Sequence, residues 1–462
     1  MDLLHFSGLL QPTTSSFLRR PDQLIFALNV HGDNIGSLTK RLGYSEYDSS
    51  TDSQSVQGMY SGNTGTRYLY RGCNGQIQYN SGSGFANIIT GLNADVKMEF
   101  AQFVNLVFVV GGTGTTYMDT QSITETTNSG NCLTDAPNGK YIAVYKDRLY
   151  IANCDGHASR FYWSSLPDTG GTTITWTTTD SENIDTNNGE EITGLHNNRV
   201  LNELLIFKRN SLHSYDTYRL RDCDNVGTSS HRSIQTVSGI TYFFNENGIY
   251  AYDGTIPRLI SRPIQKWIDG IDQTALDDVF SIVDDGKYYK LYVGTIAVDG
   301  TTYTNCEIRY STVDNTFTIY QYADTFTCYT LHQVSSVIRV YAGTNDGEVM
   351  KLADKDDTVY ADDGTDIAAE FMFETDMGVP AERKSVDKCI IYAENPQNLK
   401  GRIRGKGKDW TTYFTVETDE YQPNISKQDS RWLQWHFSES SGVNPFKFEG
   451  LSFKPHLTTK KY

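Results

Sequence analysis

Five cations at alternate positions form the sharpest chemical pattern in the chain: Lys400, Arg402, Arg404, Lys406 and Lys408, separated by Gly401, Ile403, Gly405 and Gly407. Successive side chains on a strand point to opposite faces, so this spacing aims all five charges one way. Two uses fit such a stripe. It docks an acidic partner surface or a nucleic-acid backbone, or it protects a sheet edge from pairing with other chains.

Signatures of catalysis and metal binding fail on inspection. There is no Gly-x-Ser-x-Gly elbow, no His-Glu-x-x-His pair and no phosphate loop ending in Gly-Lys-Ser/Thr. Gly111-Gly112-Thr113-Gly114 lacks the third glycine and the following helix of a dinucleotide site, and reads as a wide hairpin loop. Nine histidines are spread singly. Seven cysteines (Cys73, Cys132, Cys154, Cys223, Cys306, Cys328, Cys389) are odd in number and contain no Cys-x-x-Cys pair, which points to reduced, buried thiols. Asp168 and Gly170 approach a sialidase-type Asp box, but Trp176 falls three positions late and Leu166 stands where a serine belongs. Asp354-Lys355-Asp356-Asp357-Thr358 lacks the alternation and glycine of a calcium loop, so the acidic stretch through Asp362, Asp363 and Asp366 reads as a solvated linker. No catalytic residue, cofactor or metal is expected.

The elements that carry these residues must be strands. The 462 residues include 30 Tyr and 39 Gly but only 11 Pro, and charged residues make up 21%, too few for a coiled coil or surface helix bundle. Aromatic and β-branched side chains favour strands, while Gly, Asn and Asp favour turns. A net charge of −16 argues against wrapping duplex DNA over a broad surface, which needs phosphate neutralisation. The best apolar run, Phe103 to Val110, is far short of a membrane helix, so no membrane insertion is expected.

A hairpin recurs. Arg67–Tyr70 leads through Asn74-Gly75 to Ile77–Tyr79; Thr241–Phe244 through Asn247-Gly248 to Ile249–Tyr252; Arg339–Ala342 through Asp346-Gly347 to Val349–Leu352. Asn-Gly and Asp-Gly between alternating strands are strong hairpin signals because the primed turn needs positive φ at both central residues. Looser copies run from Arg148 to Trp163, Leu204 to Tyr215 and Lys287 to Tyr310. A spacing of roughly 45–70 residues suits four-stranded propeller blades with some long loops; the rival is a pair of β-sandwiches. The expected architecture is all-β: an N-terminal arm over 1–43 that closes the propeller or docks on a neighbour, a β-propeller of six or seven blades over 44–355, and a small β-sandwich over 367–462. Pro263 to Ile271 and Thr274 to Val279 are the helical candidates. The long polar loops 120–135 and 168–191 are candidates for contacts with neighbours.

Several of these segments, taken in order, resemble a known family. Asp22–Val30, Gly36-Ser37-Leu38-Thr39-Lys40-Arg41-Leu42-Gly43-Tyr44, Asp147–Tyr150, Phe161–Ser165, Trp176, Ile192–Leu195, Leu204–Lys208, Val226–Ser230, Asn247–Tyr250 and Leu259–Ser261 are similar to the tail nozzle, or tail hub, proteins of short-tailed bacteriophages. The resemblance covers about residues 22–270. It implies a non-enzymatic virion subunit, assembled in the host cytoplasm into a hexameric ring of the tail. Such a ring extends the DNA channel below portal and adaptor proteins, retains double-stranded DNA until ejection, and anchors fibres or spikes. The alternative from the residues alone is a glycan-binding or glycan-cleaving propeller, with carboxylates converging on its axis.

Overall fold

Short strands broken by tight turns stack, in the computed structural model, as seven four-stranded antiparallel blades around one axis. The structure describes residues 2–3, 23–32, 36–48, 52–185, 188–375, 384–386, 388–405, 407–425, 428–442, 444–453 and 456–457. With strands lettered A to D from the axis outward, blade 1 is Val56–Asn63, Arg67–Cys73, Gln76–Asn80 and Phe85–Ile89. Blade 2 is Lys97–Phe103, Leu106–Thr113, Gln121–Thr124 and Thr127–Asn128. Blade 3 is Gly139–Tyr145, Arg148–Cys154, His157–Trp163 and Ser181–Asn183, and blade 4 is Ile192–Asn198, Glu203–Lys208, Leu212–Tyr215 and Leu220–Asp224. Blade 5 is Gln235–Val237, Ile240–Asn245, Gly248–Tyr252 and Arg258–Leu259, and blade 6 is Phe280–Asp284, Tyr288–Val298, Thr301–Ser311 and Thr316–Gln321.

Blade 7 closes the ring. Its strands A to C are Phe326–Val334, Val337–Thr344 and Val349–Leu352, and its strand D comes from the start of the chain, Tyr44–Asp48, with Leu352 opposite Tyr44 and Lys351 opposite Ser45. Strand A of blade 7 packs on strand A of blade 1. Tyr44 is fully buried in an aromatic cluster with Tyr322 and Phe326, and its hydroxyl donates to Asp324 Oδ2 at 2.8 Å. Arg71 of blade 1 reaches the Asp346-Gly347 turn of blade 7, pairs with Asp52 at 2.8 Å and lies 3.9 Å over the Phe85 ring.

The sheet of blade 6 does not stop at its fourth strand. Thr316–Gln321 pairs in parallel with Leu24–Leu28, which leads on through Ala368–Thr375, Leu433–Ser440, Lys400–Gly405 and Phe414–Thr415. A second sheet, Val30–Gly32, Leu38–Lys40, Lys447–Phe453, Cys389–Glu394 and Glu420–Tyr421, packs its apolar side against this extension. Phe371, Phe373, Trp435, Phe437 and Phe448 are fully buried there, each worth roughly 1.5–3 kcal/mol of transfer free energy. The same core runs on without a break to Phe244, Trp267 and Leu291 of the propeller. Strands between residues 24 and 40 are thus part of the sandwich, while 44–48 belongs to the propeller.

Three local readings of the sequence need correcting. Asn74 and Gly75 both have positive φ, but at 247–248 and 346–347 only the glycine does, so those two turns are not of the doubly left-handed type. Asp362 is not solvated: it receives both Arg41 Nη atoms, at 2.7 and 2.5 Å, and is 3% exposed, while Asp357 pairs with Arg339. Burial of an aspartate at that site requires a cation, and Arg41 supplies it from the other end of the chain. Blade 2, finally, has no counterpart among the six hairpins read from the sequence. Its strand B is apolar at nearly every position, and its B–C turn makes an extra excursion through Thr116–Tyr117, so neither alternation nor a short turn marks it.

Candidate functional site

The basic stripe is half strand. Lys400–Gly405 turns Gly401, Ile403 and Gly405 into the sandwich core and Lys400, Arg402 and Arg404 to the outer face, following the two-residue period of the pleat. A Cβ at Gly401 would come within 2.5 Å of the Phe414 ring, which explains a glycine there. The strand ends at Gly405. Lys408 lies in the following turn, its amide hydrogen-bonded to the Gly405 carbonyl, and Lys406 lies outside the described residues. Among the described residues, three of the five expected charges stand on one strand face and Lys408 does not. Nor is this an open edge: Leu433–Ser440 pairs on one side, and residues 411–415 cover the other through Thr411 and Phe414.

The charges are embedded in a ladder across three strands. Arg402 Nε donates to His436 Nδ1 at 2.7 Å, and the other ring nitrogen of His436 lies 2.5 Å from Glu370. One rung along, Arg404 Nε donates to Gln434 at 2.6 Å, and Gln434 donates to Glu374 at 3.0 Å. Trp410 lies across both guanidinium groups, at 4.7 Å from Arg402 and 4.3 Å from Arg404, and Tyr413 stacks on Arg402. Planar guanidinium groups held by neighbouring side chains and aromatic faces are preorganised donors rather than loose charges. A cleft of about 510 Å³ opens beside Arg404, between Phe26, Glu370, Glu374 and Gln434 on the sandwich and Trp267 and Tyr303 at the propeller edge.

The propeller axis has a different construction. The turn His231–Ser233, on the connection from blade 4 to blade 5, sends Arg232 across to the far side of the ring. There Nη2 donates to the carbonyls of Gln57 and Met98 (2.6 and 3.0 Å), and Nε donates to Glu99 at 2.6 Å. The Arg232 carbonyl accepts from Ser281 on blade 6. Burial opposes the charge, but Glu99 outweighs it and holds the guanidinium above its usual range. Burial, with the Arg232 charge alongside, lowers His231 below an ordinary histidine. Around the same mouth Lys97 pairs with Asp278 at 2.7 Å and Lys140 with Glu191 at 2.9 Å, and the 3₁₀ turn Gln273–Asp278 lies over it, tied by Lys97 to the Asp277 carbonyl. Among the described residues no group of three His, Cys, Asp or Glu is placed to hold a metal.

The two long loops are packed on each other. Trp176 is 4% exposed and donates to the Cys132 carbonyl at 3.1 Å, joining one loop to the other in a core with Ile174 and Leu133. Asp168 Oδ1 accepts the amides of Thr172 and Thr173, which closes the turn around Gly170 and Gly171 and pulls the Asp168 carboxyl below its usual range. None of the hub residues was singled out in the sequence. Arg232 sits in Ser229-Ser230-His231-Arg232, which has no periodicity; its role arises from blades that come together only on closure.

No family model matches the sequence, and no curated protein matches it. Among solved structures, YCF48 from Cyanidioschyzon merolae is similar over 68% of this chain and all of its own, at 13% identity and a TM-score of 0.41. BBS1N, solved in complex with ARL6DN, is similar over 68% of this chain and 98% of its own, at 10% identity and a TM-score of 0.41.

Proposed function

We propose that this chain is a structural subunit of a short-tailed bacteriophage tail, a nozzle or hub protein that forms a ring. The observation that carries the reading is the cross-braced axis, where clefts of about 810 and 560 Å³ are spanned by paired side chains. Arg232 ties blades on opposite sides of the ring together, and Glu99, Asp278 and Glu191 each engage a cation, so the centre of the propeller is built as a strut. A conduit for DNA would then run between copies, not through one. The sheet shared by blade 6 and the sandwich gives each copy one stiff body for that task. The segments resembling tail nozzle proteins support the same assignment, with portal, adaptor and fibre or spike proteins as partners and the Lys400, Arg402, Arg404 face as a docking surface.

Mass spectrometry and negative-stain imaging of purified particles test it, together with imaging of the isolated protein mixed with its portal complex. Rings added below the portal are the expected outcome. Absence of the chain from particles, or glycan hydrolysis by the pure protein that Glu99→Gln abolishes, would replace the structural reading with the propeller-enzyme one.

A further inference from the structure

Blade 6 carries a cation that no acid of the chain is left to neutralise. Strands B and C set Lys290 directly opposite Arg309, and like charges in that register repel unless an acid stands between them. Asp284 supplies one, 2.5 Å from Lys290. Glu307 shares the face of strand C with Arg309, but it is fully buried against blade 7, where its Oε2 accepts from the Tyr329 hydroxyl at 2.8 Å. Burial pushes its carboxyl above the usual range, which weakens it as a counter-charge. One positive charge is in surplus.

Arg309 holds that charge in a fixed pose. Its Nη1 donates to the Tyr320 hydroxyl at 2.5 Å, and its guanidinium carbon lies 3.5 Å over the Tyr288 ring. Nε is shielded from water and has no acceptor, and Nη2 has none among the described residues. Nε and Nη2 form one edge of a guanidinium, the pair of parallel donors that grips both oxygens of a carboxylate or phosphate. The residue lines a cavity of about 430 Å³ between blade 6, the chain that follows blade 7 and the N-terminal strand Leu38–Lys40. Six lining residues are cations and four are acids, the reverse of the 40 to 56 of the whole chain. All four acids are already engaged: Asp284 by Lys290, Asp285 by Lys287 at 3.0 Å, and Asp354 and Asp357 by Arg339 at 3.3 and 3.1 Å. Lys40 and Arg41 are held by Glu439 and Asp362. Arg309 and Lys355 are left without a carboxylate among the described residues.

We propose that this cavity binds a small organic anion, with its oxyanion group on the Nε–Nη2 edge of Arg309 and a flat apolar body against Tyr288, Tyr360 and Pro445, which also line the space. A buried donor without an acceptor is rare in a folded protein, and an acceptor brought in by a ligand satisfies it. The volume falls within the roughly 300–1,000 Å³ of small-molecule sites, and a few placed polar groups on apolar walls are their usual construction. Carboxylates and phosphates share the chemistry of the site. The proposal does not rest on the assignment of the chain to a phage tail.

Isothermal titration of the full chain with adenosine 5′-monophosphate and with benzoate tests it, adenosine and benzamide serving as their uncharged counterparts. The expected result is a Kd of about 1 mM or tighter for at least one anion, and no binding of its uncharged counterpart. Binding of the nucleotide alone assigns a phosphate ligand, and binding of benzoate alone a carboxylate. Arg309→Lys keeps the charge but loses the two-donor edge, and should weaken binding at least about tenfold. Tyr360→Ser removes no charge and reads the same cavity if Arg309→Lys folds poorly; it too should bind more weakly. Failure of both anions to bind the wild type, equal binding of the uncharged compounds, or undiminished affinity in either variant overturns the proposal.

Discussion

Single side chains hold distant parts of the chain together. Arg41 binds Asp362 with two hydrogen bonds, donates from Nε to Asn29 Oδ1 at 2.8 Å and stacks on Tyr322 at 4.5 Å, so one guanidinium joins the N-terminal strands, the acidic stretch and the end of blade 6. Removing one member of a buried pair strands the other charge. Arg41→Met should therefore lose about 3–5 kcal/mol in denaturant titration, and Arg41→Met with Asp362→Leu should lose markedly less. His332 gives a pH dependence. It is 6% exposed, 2.9 Å from Ser61 Oγ across the junction of blades 7 and 1, and burial, with Arg67 nearby, lowers it to about 4. The unfolded chain takes up this proton near pH 6.5, before the folded one. Stability from the neutral ring is thus complete above about pH 6.5 and is lost as pH falls toward 4, at up to about 1.4 kcal/mol per pH unit. Denaturant melts between pH 7.5 and 4.5 should show at least that slope, since burial lowers His196 to about 4 in the same way, and His332→Gln should make it shallower by one histidine's share.

Among elements, Tyr44–Asp48 decides whether the propeller is a ring or an open stack. Ser45 lies opposite Lys351, so Ser45→Cys with Lys351→Cys offers a disulfide across the closure. Oxidation should raise stability by about 2–4 kcal/mol relative to the reduced form, since the crosslink spans nearly the whole propeller. The Lys400–Gly405 strand poses a different question. Its arginines are hydrogen-bonded to His436 and Gln434 and stacked on Trp410, so Arg402→Glu with Arg404→Glu breaks a side-chain network and brings acids close to Glu370 and Glu374. A loss of roughly 1–3 kcal/mol is expected in thermal melts. Arg402→Gln with Arg404→Gln keeps hydrogen-bonding capacity, so a docking defect in that variant at near-normal stability would assign the charges to a partner.

At the scale of the molecule, one core continues from the sandwich aromatics to Trp267 and the blade 5 and 6 side chains. Units that share a core and a sheet unfold together. Calorimetry should give one dominant transition for propeller and sandwich, and a chain ending near residue 366 should be poorly folded because Leu24 and Leu28 would lose the strand paired beside them. Two separate transitions, or a soluble native-like truncation, would contradict that.

What the sequence determined by itself follows from local rules. Aromatic strand pairs mark six of the seven blades, three of them read through Asn-Gly or Asp-Gly turns, because hairpin formation depends on residues close together in the chain. The outward spacing of Lys400, Arg402 and Arg404 was equally legible, since a strand has a fixed period. Only tertiary structure decided the rest. That Tyr44–Asp48 completes blade 7, that Arg41 buries Asp362, that Arg232 crosses the axis and that residues 24–40 join the sandwich are all pairings between segments far apart in sequence. Each depends on surfaces that come within a few ångströms only once the blades have closed, and no local pattern encodes that meeting.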